Sequence, residues 1–236
     1  MHAEVITHVG LVRKNNEDAA WSDINKQIFV VADGMGGYVA GEVASVLAIE
    51  TLKQALASDS HDSPSDTLRH AFYQANNRIY QEALERPEYS GMGTTLTALW
   101  IVGNKAYVSH VGDSRVYLIR EGKISSLTMD HSLVGELVRE GGLTEEQARN
   151  HPQRNLLTRA LGCSALVEVD IADYDVLPGD TFLLCTDGLS NLVSGEEMAA
   201  VVTGEKDTKK AVQELVNRAL ARGGFDNITV ILVSNE

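Results

Sequence analysis

Cysteine is scarce in this chain, and the two that occur, Cys163 and Cys185, form neither a metal-binding spacing nor a disulfide framework. Neither opens a Cys-x5-Arg loop, because Val169 and Asn191 stand where the arginine belongs, so chemistry through a thiolate nucleophile of that kind is excluded. Cys185 ends the apolar run Phe182-Leu-Leu-Cys185 and reads as core packing. Basic residues are also short: 20 Lys and Arg against 33 Asp and Glu leave a net charge of −13. Nucleic acid is thereby excluded as the partner, since it demands a positive surface. No apolar run approaches the length that spans a bilayer, so no membrane partner is expected. Met1-His-Ala-Glu4 shows no basic-then-apolar leader, and a reducing cytoplasm is the expected compartment.

What the chain does have is one arrangement used repeatedly. In Phe29-Val-Val-Ala-Asp33-Gly-Met-Gly-Gly37 an apolar, β-branched run ends in a carboxylate, and glycines follow at once. The run reads as a buried strand and the glycines as a turn in which backbone approaches something closely. A carboxylate buried alone at such a junction is unfavourable, so it needs a partner or an exit to solvent. Asp113 in Gly112-Asp-Ser-Arg115 and Asp187 in Thr186-Asp-Gly188 repeat the arrangement, and Gly223-Gly-Phe-Asp226 inverts it by opening a strand. A single Asp-Gly pair is usually a plain turn, but recurrence at strand ends is not explained that way. Gly34-Met-Gly36-Gly37-Tyr-Val39 also suggests a dinucleotide cradle. That reading fails, because Val39 replaces the third glycine and no acid closes a second strand about 20 residues on.

Several elements follow from periodicity and punctuation. A hairpin turning through Ile24-Asn-Lys26 places Asp18 opposite Asp33 at one sheet edge. Helices are predicted from Gly41 to Ala57 and, with Ser63 capping and Pro64 in the first turn, onward to about Glu85. Strands are predicted over Gly93 to Val102, Lys105 to Val111, Val116 to Arg120, Lys123 to Leu127 and Val167 to Val176. A helix after Ser132 and a capping box at Thr144-Glu-Glu-Gln147 lie in an excursion over roughly 130–165. One further helix is predicted from Thr208 to Arg222. A strand leaving at Asp226 runs antiparallel to one arriving at Asp187, which puts both acids at the same end. The marked acids run from Asp18 to Asp226, so 1–236 is expected to form a single catalytic domain.

Carboxylate oxygens without a His or thiolate cluster suit hard cations, Mn²⁺ or Mg²⁺. Two such ions sharing a carboxylate activate water against phosphorus, a reaction that needs strong electrostatic help. Arg13, near Asp18 in sequence, has the planar fork that grips phosphate oxygens.

Arg13-x-x-Asn16-x-Asp18, Asp33-Gly-Met-Gly-Gly37, Gly91-Met-Gly-Thr-Thr95, Gly112-Asp-Ser-Arg115, Asp130-His-Ser132, Thr186-Asp-Gly188 and Gly224-x-Asp226-Asn227 occur in that order. Together they resemble the bacterial branch of the type 2C, metal-dependent Ser/Thr protein phosphatases, over essentially the full length. The resemblance implies an α+β fold, a four-layer α-β-β-α sandwich of two antiparallel sheets flanked by helices, with a flap at roughly 130–165. It implies hydrolysis of phosphoserine and phosphothreonine on proteins, and a bacterial Ser/Thr kinase to oppose; a monomer is expected. By position, Asp33 would bridge two ions, the Gly34 carbonyl would hold the first, and Asp187 and Asp226 would complete the second. Asp113 with Asp187 would hold a third, weaker ion, Asp18 would orient the attacking water, and Arg13 would bind phosphate. Many bacterial relatives have His where this chain has Tyr38, which is a poor acid at neutral pH. His131 is another candidate for that task, with a structural role the favoured reading. A second hypothesis is a pseudo-enzyme that binds phosphoproteins without turnover; intact acids at every ligand position favour the enzyme.

Overall fold

Phe29, Val31, Phe182, Leu184, Ile231 and Val233 come from three separate apolar runs and meet in one fully enclosed cluster. They meet because each run is a strand, and the two-residue pleat turns alternate side chains to opposite faces. The computed structural model describes residues 1–36, 40–57, 63–144, 147–148 and 151–235. In chain order its strands are β1 (His2–His8), β2 (Asp18–Asp23), β3 (Ile28–Met35), β4 (Gly93–Thr94), β5 (Leu96–Val102) and β6 (Lys105–Val111). They continue as β7 (Arg115–Arg120), β8 (Lys123–Ser126), β9 (Asp170–Asp175), β10 (Thr181–Cys185) and β11 (Ile228–Ser234). The helices are α1 (Ala40–Ala55), α2 (Pro64–Glu85), α3 (Leu133–Arg139), α4 (Asp187–Ser190), α5 (Gly195–Gly204) and α6 (Thr208–Ala221).

One sheet has the order β1-β11-β10-β7-β8 and the other β2-β3-β5-β6-β9, with β4 added to β3, and every pairing is antiparallel. Ile28, Val30 and Ala32 face away from the sheet interface and pack with Ala44, Leu52 and Phe72 of α1 and α2. Leu183, Cys185, Val230 and Leu232 pack on the other side against Met198, Leu215 and Val216 of α5 and α6. Both faces of the central strands are thus covered, which is why their sequences read as continuous apolar runs rather than alternating ones. Each fully buried Leu or Phe contributes about 1.5–3 kcal/mol. The expected α-β-β-α layering is what the structure has.

The hairpin has the expected register, with Asp18 opposite Asp33. Its turn is one residue longer than expected, since Gln27 adopts a φ of 55° and Asp23 Oδ1 accepts from the amides of Asn25 and Lys26 at 3.0 Å each. Ser63 caps α2, its hydroxyl accepting from the Asp66 amide, with Pro64 in the first turn as predicted. The capping box at Thr144 and Gln147 is also formed.

Two expectations are corrected, and one helix is added. The strand expected over Gly93 to Val102 is broken at Thr95, whose amide and hydroxyl both bond the backbone of Asp33 at 2.9 Å. The strand expected from Val167 begins only at Asp170. Helix α5 was not anticipated, although Ser194 and Glu197 form the reciprocal bonds of a capping box at its start.

Candidate metal centre at the sheet edge

The ends of β3, β6, β10 and β11 converge where the two sheets meet, and a cleft of about 190 Å³ opens there. Arg13, Asp33, Gly34, Asp113, Asp187 and Asp226 all line it. Asn155 and Leu157, from the excursion after Asp130, cover part of the mouth. Asp18 stands just behind the wall, opposite Asp33 in the hairpin and 9% exposed. The seven residues singled out from the sequence are therefore brought to one place.

Close backbone approach explains two of the glycines. A Cβ on Gly34 would strike the Gly41 carbonyl and would come within 2.6 Å of the Glu17 carbonyl oxygen. A Cβ on Gly188 would strike the Asn227 carbonyl, so the start of α4 can nest against β11 only without one. The Thr186–Asp187 junction is thereby pressed beside Asp226.

Each acid is held differently. Asp18 Oδ2 accepts from the hydroxyls of Thr186 at 2.9 Å and Thr229 at 2.7 Å, while its Oδ1 is buried without a hydrogen-bond partner. Burial pushes its pKa up to about 7 despite those two bonds. Asp187 Oδ2 accepts from Asn191 at 3.0 Å and its Oδ1 is likewise buried and unpartnered. Burial, then the charge of Asp226, raise Asp187 to about 6. Asp33 and Asp113 lie well above the usual carboxylate range, first from burial and then from the surrounding acids. Asp226 leans on Arg13, whose Nη2 donates to Oδ2 at 2.8 Å.

Crowded acids with raised pKa values and orphaned oxygens form an environment that a cation would stabilise. Among the described residues no three His, Cys, Asp or Glu side chains close on one point by themselves. Gly34 lines the same cleft, so its carbonyl is available as a further oxygen donor. Asp226 has the Arg13 guanidinium as its present counter-charge. An all-oxygen donor set with free lone pairs fits a hard divalent ion. The set does not fit a soft one, since Cys185 faces the opposite side of its strand and is fully buried there.

His131 is 2% exposed, and its Nδ1 accepts from the Gly112 amide at 3.1 Å. Its ring lies 4.7 Å from that of His110, and its Nε2 is 3.2 Å from Asp170. It thus anchors the loop that carries Asp113 and does not line the cleft. Tyr38 and Gly37 fall outside the described residues.

The sequence motifs include Thr186 and Asn227 without giving them a role, and Thr229 lies outside those motifs. Asn227 Oδ1 accepts from the Glu17 amide at 2.8 Å, and its Nδ2 donates to the carbonyls of Val9 and Asn15 at 2.9 Å each. It ties the Arg13-to-Asp18 loop to β11. The signal for both threonines was register: the pairing of β10 with β11 places Thr186 beside Thr229, a polar pair at the end of two apolar strands.

The family model described as "Protein phosphatase 2C" matches residues 6–228. A Listeria monocytogenes protein named "Serine/threonine phosphatase stp" is 40% identical over 243 residues, covering 100% of this chain and 96% of that protein. The crystal structure of the Mycobacterium tuberculosis serine/threonine phosphatase PstP/Ppp superposes with a TM-score of 0.93 at 38% identity, covering 100% of this chain and 98% of the other. A PstP catalytic domain described in complex with 2 manganese ions superposes with a TM-score of 0.89 at 36% identity, over 98% of this chain and 96% of that one.

Proposed function

The chain belongs to the protein phosphatase 2C family, and on that footing we propose that its cleft hydrolyses phosphoserine and phosphothreonine on proteins with two Mn²⁺ or Mg²⁺ ions. Water attacks phosphorus, the bond to the Ser or Thr oxygen breaks, and the products are inorganic phosphate and the free hydroxyl. Asp33, the Gly34 carbonyl, Asp187 and Asp226 would hold the two ions, with Asp113 and Asp187 available to a third, weaker one. When bound, such ions supply positive charge that acidifies water and neutralises charge growing on the phosphoryl oxygens.

The remaining work falls to side chains of the chain itself. Asp18 is fixed by Thr186 and Thr229 through one oxygen, which leaves Oδ1 to orient the attacking water. Arg13 sits at the lip, half exposed, and its guanidinium exchanges Asp226 for two phosphate oxygens as substrate enters. The family membership and the complete acid set both favour turnover, and no observation favours the non-catalytic binding module.

One observation carries this reading: four carboxylates from residues 33, 113, 187 and 226 line a single cleft of about 190 Å³ with Arg13 at its edge. Phosphate release from a phosphothreonine peptide tests it. Release is expected with Mn²⁺ or Mg²⁺ and not with a chelator, and Asp187→Ala is expected to lower it by about 10³-fold. An Asp187→Ala protein as active as the parent would show that the site is misassigned. We further propose that 1–236 acts as one catalytic domain, as a cytoplasmic monomer opposing a Ser/Thr kinase; size-exclusion chromatography checks the monomer, cell fractionation the compartment, and a rise in Ser/Thr phosphorylation on deletion of the phosphatase the opposition to a kinase.

A further inference from the structure

Beside the acid cleft lies a larger cavity of about 480 Å³, and Asp113 and Asp187 are shared between the two walls. One side is built from β7, β8 and the start of α5, with Tyr117 and Ile124 facing in. The other side is α3, contributing Val134 and Arg139, and a later turn at 152–155 that carries Arg154. The charges here are not equivalent. Asp130 is taken up by Arg115, which donates from Nε at 2.8 Å and from Nη2 at 2.6 Å. Glu196, on the α5 side, is itself engaged, and Asp113 and Asp187 belong to the acid cluster. Arg139 and Arg154 are exposed and, among the described residues, enter no ion pair and no side-chain hydrogen bond. In a chain with 33 acids against 20 bases, two unpaired guanidiniums on one wall of one cavity are unusual. Each presents a fork of donors suited to carboxylate or phosphate oxygens.

Resting on the phosphoprotein reading above, we propose that this cavity receives the substrate chain next to the phosphoresidue, and that Arg139 and Arg154 select an anionic side chain there. Val134 and Ile124 give the stem of that side chain apolar contact, and the forks take its charged end. A carboxylate and a second phosphate share this chemistry.

Phosphothreonine peptides that are identical except for flanking alanine, glutamate, a second phosphothreonine or lysine distinguish the sources, with p-nitrophenyl phosphate as a substrate too small to reach the cavity. For the wild-type enzyme with Mn²⁺, kcat/KM is expected to be about tenfold higher for an anionic flank than for alanine, with the gain shrinking as salt rises. A gain with both anionic peptides identifies a general anion site, and a gain with the second phosphate alone identifies a phosphate site. In R139A/R154A the gain is expected to vanish, while hydrolysis of p-nitrophenyl phosphate and of the alanine peptide stays within about twofold, because both side chains are exposed. R139E/R154E is expected to prefer the lysine peptide. Equal rates for all peptides with the wild type, or a preference that survives R139A/R154A, would overturn the inference and leave the phosphatase reading standing. Loss of p-nitrophenyl phosphate hydrolysis by the wild type itself would overturn both.

Discussion

Along β3, Phe29 and Val31 are fully buried between the sheets, and two residues later Asp33 stands among four other carboxylates. The same change occurs on β10, where Phe182 and Leu184 fill the interior and Asp187 follows at the cleft. Interior and cleft are thus successive parts of the same strands. In the interior every side chain has apolar neighbours of matching shape, and burial stabilises the fold. In the cleft, burial raises the pKa of Asp18, Asp33, Asp113 and Asp187, and two carboxylate oxygens have no partner. Burial among like charges makes these carboxylates unfavourable to ionise, the reverse of what burial does for the apolar interior. Proteins accept such local strain where function needs it.

The sharpest way to break this comparison is Asp33→Asn. Turnover is expected to fall by about 10³-fold, while the metal-free variant melts higher than the metal-free parent because one buried like charge is gone. A lower melting temperature would mean that the cleft is not electrostatically strained. Phe182→Ala tests the other side. It is expected to lose about 3–5 kcal/mol in urea unfolding with turnover per folded molecule unchanged.

The third test concerns His110, buried behind the Asp113 loop, where burial and the neighbouring His131 lower its pKa to about 4. The unfolded chain takes up this proton near pH 6.5 and the folded chain not until about 4, so stability falls as the pH drops through that window. The loss amounts to about 3 kcal/mol by pH 4, opposite in sign to the cleft acids, whose raised pKa values favour the folded state at low pH. Unfolding free energies of the parent and His110→Gln, measured across pH 4 to 7, are expected to converge towards acid. The smallest effect is expected for Cys185→Ser. Its side chain is fully buried against α5 and α6, so an added hydroxyl costs about 1–2 kcal/mol, with activity largely intact.

Features within a few residues of each other were readable in the chain. Asp18 faces Asp33 because a short turn sets hairpin register, and Ser63-Pro64 starts α2 because capping is a local bond. Helix α5 has an equally local signal in Ser194 and Glu197, but its ten residues contribute only part of one apolar face, so its periodicity is weak. The candidate acids stand out in the chain through their recurrence at strand ends, not through any single motif. Their supports were not found. Thr186 and Thr229 reach Asp18 across 168 and 211 positions, and Arg13 reaches Asp226 across 213.

By itself the sequence determined which strands are buried on both faces, which acids end them, and what kind of ion such oxygens attract. Those are properties of residue type and short spacing, and they hold before any distant contact forms. Only the tertiary structure decided which oxygens remain free, that Asp226 rests on Arg13, and that two arginines with no ion pair among the described residues share a cavity with the acid cluster. Hydrogen bonds and ion pairs are fixed by ångström distances between chain segments far apart in sequence, and those distances exist only once the two sheets have packed.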